Sequence, residues 1–174
     1  MKKILLLLLL TSASVYSQKY VDSIYNFKIE EGNIIWQKVF KSDVKELQKT
    51  FIKKTITNIK LENLQEIDQT ISFNVVDDMI DFKKYGGKTM TTSFHVLGPK
   101  NYLVVIDFKE KKYRVTIKQI SIDLRSNRLG ISTFEDLFYR KKKIKNTKTS
   151  QKDLKYYHRH FIEKFTITDK KDDW

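Results

Sequence analysis

The sequence predicts an α+β domain built on a mainly antiparallel sheet with two or three helices packed against it. Three observations carry this. Several short runs alternate apolar and polar residues at period two, one pair of runs is joined by a short polar turn, and amphipathic helical stretches are few.

The chain opens with Lys2 and Lys3, an unbroken apolar run from Ile4 to Leu10, and a small, polar stretch with Val15 and Ser17 where a signal peptidase reads. This predicts a secretory signal peptide over residues 1–17, cleaved after Ser17, and an exported mature protein, periplasmic or extracellular. The apolar run is far shorter than the roughly 20 residues of a membrane span, and no later run approaches that length. A lipid anchor at the cleavage site needs a cysteine, and the 174-residue chain has none. Beyond the leader, residues 18–32 read as a lead-in, 33–168 as a single domain and 169–174 as a flexible tail.

Asn33 to Phe40 is apolar and β-rich, a strand. Ser42-Asp43 then stands as a cap for a helix over Asp43 to Lys54, with Val44, Leu47 and Phe51 at helical spacing. Ile71, Phe73 and Val75 mark a half-buried strand. After the turn Tyr85-Gly86-Gly87-Lys88, alternation of Met90, Thr92, Phe94 and Val96 predicts another strand, stopped by Gly98-Pro99. Tyr102 to Phe108 and Tyr113 to Ile117 form the clearest hairpin, about Glu110-Lys111-Lys112. The apolar set then moves to Ile120, Ile122 and Leu124, which requires a bulge near Gln119. Thr133 and Asp136 make a capping box before a short helix. Leu154, Tyr157, His158, Phe161 and Phe165 share one face of a C-terminal helix.

The segments NIIWQKVF from Asn33, KKYGGKTMTTSF from Lys83 and KYRVTIKQI from Lys112, together with the leader, resemble an exported bacterial family of unknown function. That family is described as having a TATA-binding-protein-like fold, and the resemblance spans roughly Asn33 to Ile122. It implies a curved antiparallel sheet with helices on one side. It implies no catalytic residue and no DNA binding, because function lives in sites rather than folds.

The chemistry-bearing residues are sparse. His158 and His160 form an H-x-H pair that a helix splits by about 200°, which places His158 at the core edge and His160 outside; His95 is the third candidate metal ligand. Asp77, Asp78 and Asp81 cluster after the Ile71 strand without the spacing of a calcium loop, which favours a solvated turn. The same carboxylates serve a glycosidase only if held across a cleft. No nucleophile elbow, phosphate loop or dinucleotide fingerprint occurs, and no cofactor is expected. Trp36 reads as core, and of Tyr156 and Tyr157 one reads as core and one as surface.

Without the leader the balance is 32 basic to 21 acidic residues, +11. Only five of the basic residues are arginines, so the charge suits a soluble surface or a field for polyanions better than bidentate phosphate recognition. The densest block, Arg140, Lys141, Lys142, Lys143 and Lys145, is the candidate anion contact, expected on a loop or mobile segment. The sequence therefore predicts a non-enzymatic exported module that binds a protein or envelope component. The alternatives are contact with anionic polymers or a membrane surface through the basic block, and an enzyme with an unrecognised site. Genomic nucleic acid is not an expected partner.

Overall fold

The computed structural model describes residues 19–125 and 128–167. The leader expected over 1–17 and the tail expected over 169–174 lie outside the described residues. Among the described residues the strands are β1 (Tyr20–Val21), β2 (Ser23–Ile24), β3 (Phe27–Glu30), β4 (Asn33–Lys41), β5 (Leu61–Ile67), β6 (Thr70–Asp78), β7 (Lys100–Lys109), β8 (Lys112–Asp123), β9 (Ile131–Thr133), β10 (Tyr139–Arg140) and β11 (Lys143–Lys145). The α-helices are α1 (Leu47–Lys54), α2 (Phe94–Leu97), α3 (Phe134–Phe138) and α4 (Lys148–Phe165), of which α2 and α3 are little more than single turns.

An open, curved sheet runs β2-β3-β4-β8-β7-β6-β5, with β9 on the far end of β8, and β1-β11-β10 form a small second sheet. Every pairing is antiparallel. The period-two pattern fixes the register. Phe73, Val104 and Ile117 lie in one row across three strands, and Trp36 follows beside Ile117 on β4. Gln119 takes a left-handed φ of 56°, and the β7–β8 register slips there, which returns Ile120 and Ile122 to the buried face.

α4 lies on that face. Phe161 presents its ring edge to Trp36 and Tyr102 at 5.4 and 5.3 Å between centroids, and Phe51 of α1 meets Phe108 and Tyr113 in the same way. The opposite face carries the rows Ser72-Val105-Thr116-Gln37 and Thr70-Asp107-Arg114-Val39, with no helix over them among the described residues.

Four local expectations need correction. α1 begins at Leu47, not Asp43, because Ser42 accepts the Val44 N–H within a turn and Glu46 sits at φ 50°, ψ 51°, outside helical geometry. The Met90–Val96 segment is not a strand. β6 and β7 pair directly with each other and leave it no ladder, so it forms a 3₁₀ turn (Thr89–Thr91) and α2, with Met90 and Phe94 exposed. The basic block is not a loose loop: Ile144, fully buried, anchors it as the β10–β11 hairpin beside β1. Tyr156 and Tyr157 are both buried, since the 82–88 turn covers Tyr156. Within the lead-in expected over 18–32, β1 to β3 span residues 20–30, and Phe27 joins the core.

Candidate functional site

The sequence folds an ionisable cluster against α4. Asp77 adopts φ 54°, and its N–H is accepted by Asn101 Oδ1; the β6–β7 register slips between Val75 and Asp78. This irregularity leaves Asp78 buried and aimed at the helix. On α4, Leu154, Tyr157, Phe161 and Phe165 make the apolar stripe. His160 and Lys164, one turn apart, form the adjoining stripe and meet Asp78.

His160 Nε2 lies 2.7 Å from Asp78 Oδ2, Tyr102 Oη donates to the same oxygen at 2.6 Å, and Lys164 Nζ donates to Oδ1. Burial pushes the Asp78 carboxyl up, but the hydrogen bonds and charges of His160 and Lys164 outweigh it and hold the pKa well below the usual carboxylate range. Asp78 is thus neither part of a solvated turn nor near Asp77 in role, for Asp77 pairs with Lys60. His160, expected outside, is drawn in by this carboxylate.

The cluster backs a cleft of about 440 Å³ lined by Lys54, Met79, Asp81, Lys84, Tyr85, His160, Glu163 and Lys164, among others. Glu163 is bound by Lys84 and by the Tyr85 hydroxyl at 2.9 Å. The Lys84 and Tyr85 hydrogen bonds hold Glu163 below its ordinary value, while burial and Glu163 raise Tyr85. Beneath the cluster Lys100, 1% exposed, donates to the Val96 carbonyl at 2.5 Å. Burial lowers its pKa to about 7, against the upward pull of Asp78.

A second polar set ties α2 to α4. Ser93 Oγ donates to Asp153 Oδ2 at 2.7 Å, and His95 Nε2 lies 3.0 Å from that oxygen. Ser93 and His95 both engage the carboxylate, and no hydroxyl-to-imidazole bond links them, so the arrangement is not that of a nucleophile with its base. His158 is at the core edge as the spacing predicts, with Trp36 Nε1 donating to its Nδ1 at 3.2 Å. The three histidines therefore go to three different partners. Among the described residues no group of three or more His, Cys, Asp or Glu side chains is placed to hold a metal ion. Likewise, no helix among them is long and apolar enough to cross a membrane.

The basic block is divided. Arg140, Lys141, Lys142 and Lys143 are exposed on the β10–β11 hairpin, whereas Lys145 turns inward and donates to the Leu137 carbonyl at 2.7 Å. The sequence reading missed the Asp78 cluster. The signal available was the His160, Lys164 pair at i and i+4, a basic stripe beside the apolar one that asks for an acid opposite.

No protein-family model matches the sequence, and no curated protein matches it. Among solved structures, the chain is similar to a DUF4468 family protein from Bacteroides ovatus, at 14% identity and a TM-score of 0.48, over 88% of this chain and 96% of the other. It is also similar to a TBP-like protein from Parabacteroides distasonis, at 13% identity and a TM-score of 0.44, over 78% of this chain and 88% of the other.

Proposed function

We propose that this is an exported, non-catalytic module that binds a protein or another cell-envelope component through the bare outer face of its sheet. The observation that carries the reading is one-sided packing: α1 and α4 contact one face, while among the described residues no helix covers the rows through Val105-Thr116 and Arg114-Val39, with Val39 55% exposed. Such a face, mixing short apolar side chains with Thr, Gln and a fixed Asp107–Arg114 pair, offers a rigid surface whose side chains need little ordering on binding.

The state of the cleft supports the non-catalytic half. A general base works best with a pKa near the operating pH. Asp78 is held far below that by His160 and Lys164, and Glu163 is engaged by Lys84 and Tyr85. Lys100, which does titrate near neutrality, is sealed from solvent. Export rests on the leader pattern of residues 1–17.

The test is a photo-crosslinking residue placed at Val39, with Met90, fully exposed on the α2 side, as the control position. Expressed in its own cell, the Val39 probe should give a discrete adduct in the envelope fraction and the Met90 probe should not. Equal labelling from both positions, or adducts in the cytoplasmic fraction alone, would overturn the reading.

A further inference from the structure

The tip of the β10–β11 hairpin is built against its own local preferences. Its two central residues, Lys141 and Lys142, both lie in the left-handed region, at φ 54° and 59°. A two-residue hairpin turn with both φ values positive favours Asn-Gly, Asp-Gly or Gly-Gly, and a lysine at either place is strained. Arg140 stands directly opposite Lys143 across the ladder, where like charges repel. Among the described residues only Asp22, 3.6 Å from Lys143 and itself 83% exposed, offsets the group.

All four cations are exposed, and no buried contact requires them. Ile144 supplies the anchor, and Lys145 is already committed to the Leu137 carbonyl. The segment is also not loose: β11 is paired on both sides, by β1 and β10, and Lys141 Nζ sits 5.9 Å from the centre of the Tyr20 ring. Two unfavourable choices held in a rigid hairpin point to a function for the charge.

We infer that the Arg140–Lys143 tip is a membrane-contact site that docks the protein on a bilayer surface of anionic phosphate headgroups. The geometry selects a surface over a polymer chain. Two cations on the turn and one on each flanking strand end make a small tip, which touches a plane, whereas a chain is held along a groove. Lysines act as point charges without the bidentate fit that singles out one phosphate, which suits a dense field of headgroups. No apolar side chain shares positions 140–143, so the contact is electrostatic and falls with salt. The inference rests on the envelope location proposed above and gives that envelope module its lipid partner, at a site separate from the outer sheet face.

The test is co-sedimentation of the purified protein with vesicles of phosphatidylcholine alone or with about one third phosphatidylglycerol, at low and moderate salt. The protein should sediment only with the anionic vesicles and be released by salt. The double substitution Lys141→Asn and Lys142→Gly installs the preferred turn, so it should leave the melting temperature unchanged or raised. At the same time it should weaken partitioning roughly thirtyfold, at about fivefold per lysine. Lys141→Arg with Lys142→Arg should retain binding.

Undiminished partitioning of the Asn-Gly variant would overturn the inference. So would binding to soluble long-chain polyphosphate with none to anionic vesicles, which would assign the tip to a polymer. The vesicles contain no protein partner and the crosslink at Val39 involves no hairpin residue, so either result can fail without the other.

Discussion

Asp78 and His160 lie 82 positions apart in the chain, yet their side chains meet at 2.7 Å behind the cleft, where Lys164 closes on the other carboxylate oxygen. The contact joins the end of β6 to the last two turns of α4. It is the polar clamp at the end of the helix where the apolar stripe finishes with Phe165.

Removing the carboxylate leaves the partly buried His160 and Lys164 without their anion and the buried Tyr102 hydroxyl without its acceptor. Asp78→Ala should therefore cost about 1–3 kcal/mol, read by urea unfolding at neutral pH. The pH dependence follows from the sign of the shift. The folded pKa lies below the ordinary 3.8, so the contribution is complete above that value and is lost as pH falls through the folded pKa. Wild type should lose stability steeply below pH 3.8, and the Asp78→Ala chain should show a shallower loss there.

Lys100 predicts the opposite kind of result. Burial lowers its pKa to about 7 from 10.5, so between these values the unfolded chain binds more protons than the folded one, and stability rises with pH. Below pH 7 the burial penalty is present in full. Lys100→Met should then raise the melting temperature at pH 6, and the gain should narrow as pH approaches 10.5. A variant less stable than wild type at pH 6 would show that the Val96 carbonyl and Asp78 more than offset burial of the ammonium.

Much of the sheet was legible because alternation over long runs has one solution. Tyr102 to Ile117 could only be a hairpin, and the shift of the apolar set to Ile120 required a bulge that Gln119 supplies. The same rule misled at Met90 to Val96, where alternation is present but no strand is free to pair. The site was harder to read for a physical reason. Asp78 becomes buried only through the slip after Val75, and neither neighbour in sequence announces it. The I′ turn was masked by its own residues, since Lys141-Lys142 carries no turn signal and only the burial of Ile144 reveals a strand.

Gly87 gives a prediction that depends on contact rather than on φ. A Cβ there would lie 2.8 Å from the Phe82 carbonyl and ring and 3.0 Å from the Tyr156 hydroxyl. Gly87→Ala should cost about 1–3 kcal/mol through overpacking. At Gly86 there is open space but φ is 83°, so Gly86→Ala should cost about 1–2 kcal/mol from backbone strain alone. Adding Tyr156→Phe to Gly87→Ala should recover part of the loss, and to Gly86→Ala none. Chemical denaturation of the four variants reads the difference.

The Trp36–His158 pair supplies a third pH window, separate from those of Asp78 and Lys100. The indole N–H donates to Nδ1 of His158, which accepts only while that nitrogen carries no proton. Burial, and then the charge of Lys38, lower the His158 pKa from 6.5. The folded state therefore takes up its proton at lower pH than the unfolded state. The contribution is complete above pH 6.5 and lost as pH falls below it. The fluorescence of Trp36, read in a Trp174→Phe background, should titrate with a midpoint below 6.5 as the imidazolium forms beside the indole. His158→Gln offers an amide oxygen to the indole and has no proton to gain, so it should abolish that titration. The Asp78→Ala chain should retain it. A midpoint at or above 6.5 would mean that the backbone hydrogen bond near Tyr25, which favours the charged imidazole, outweighs burial.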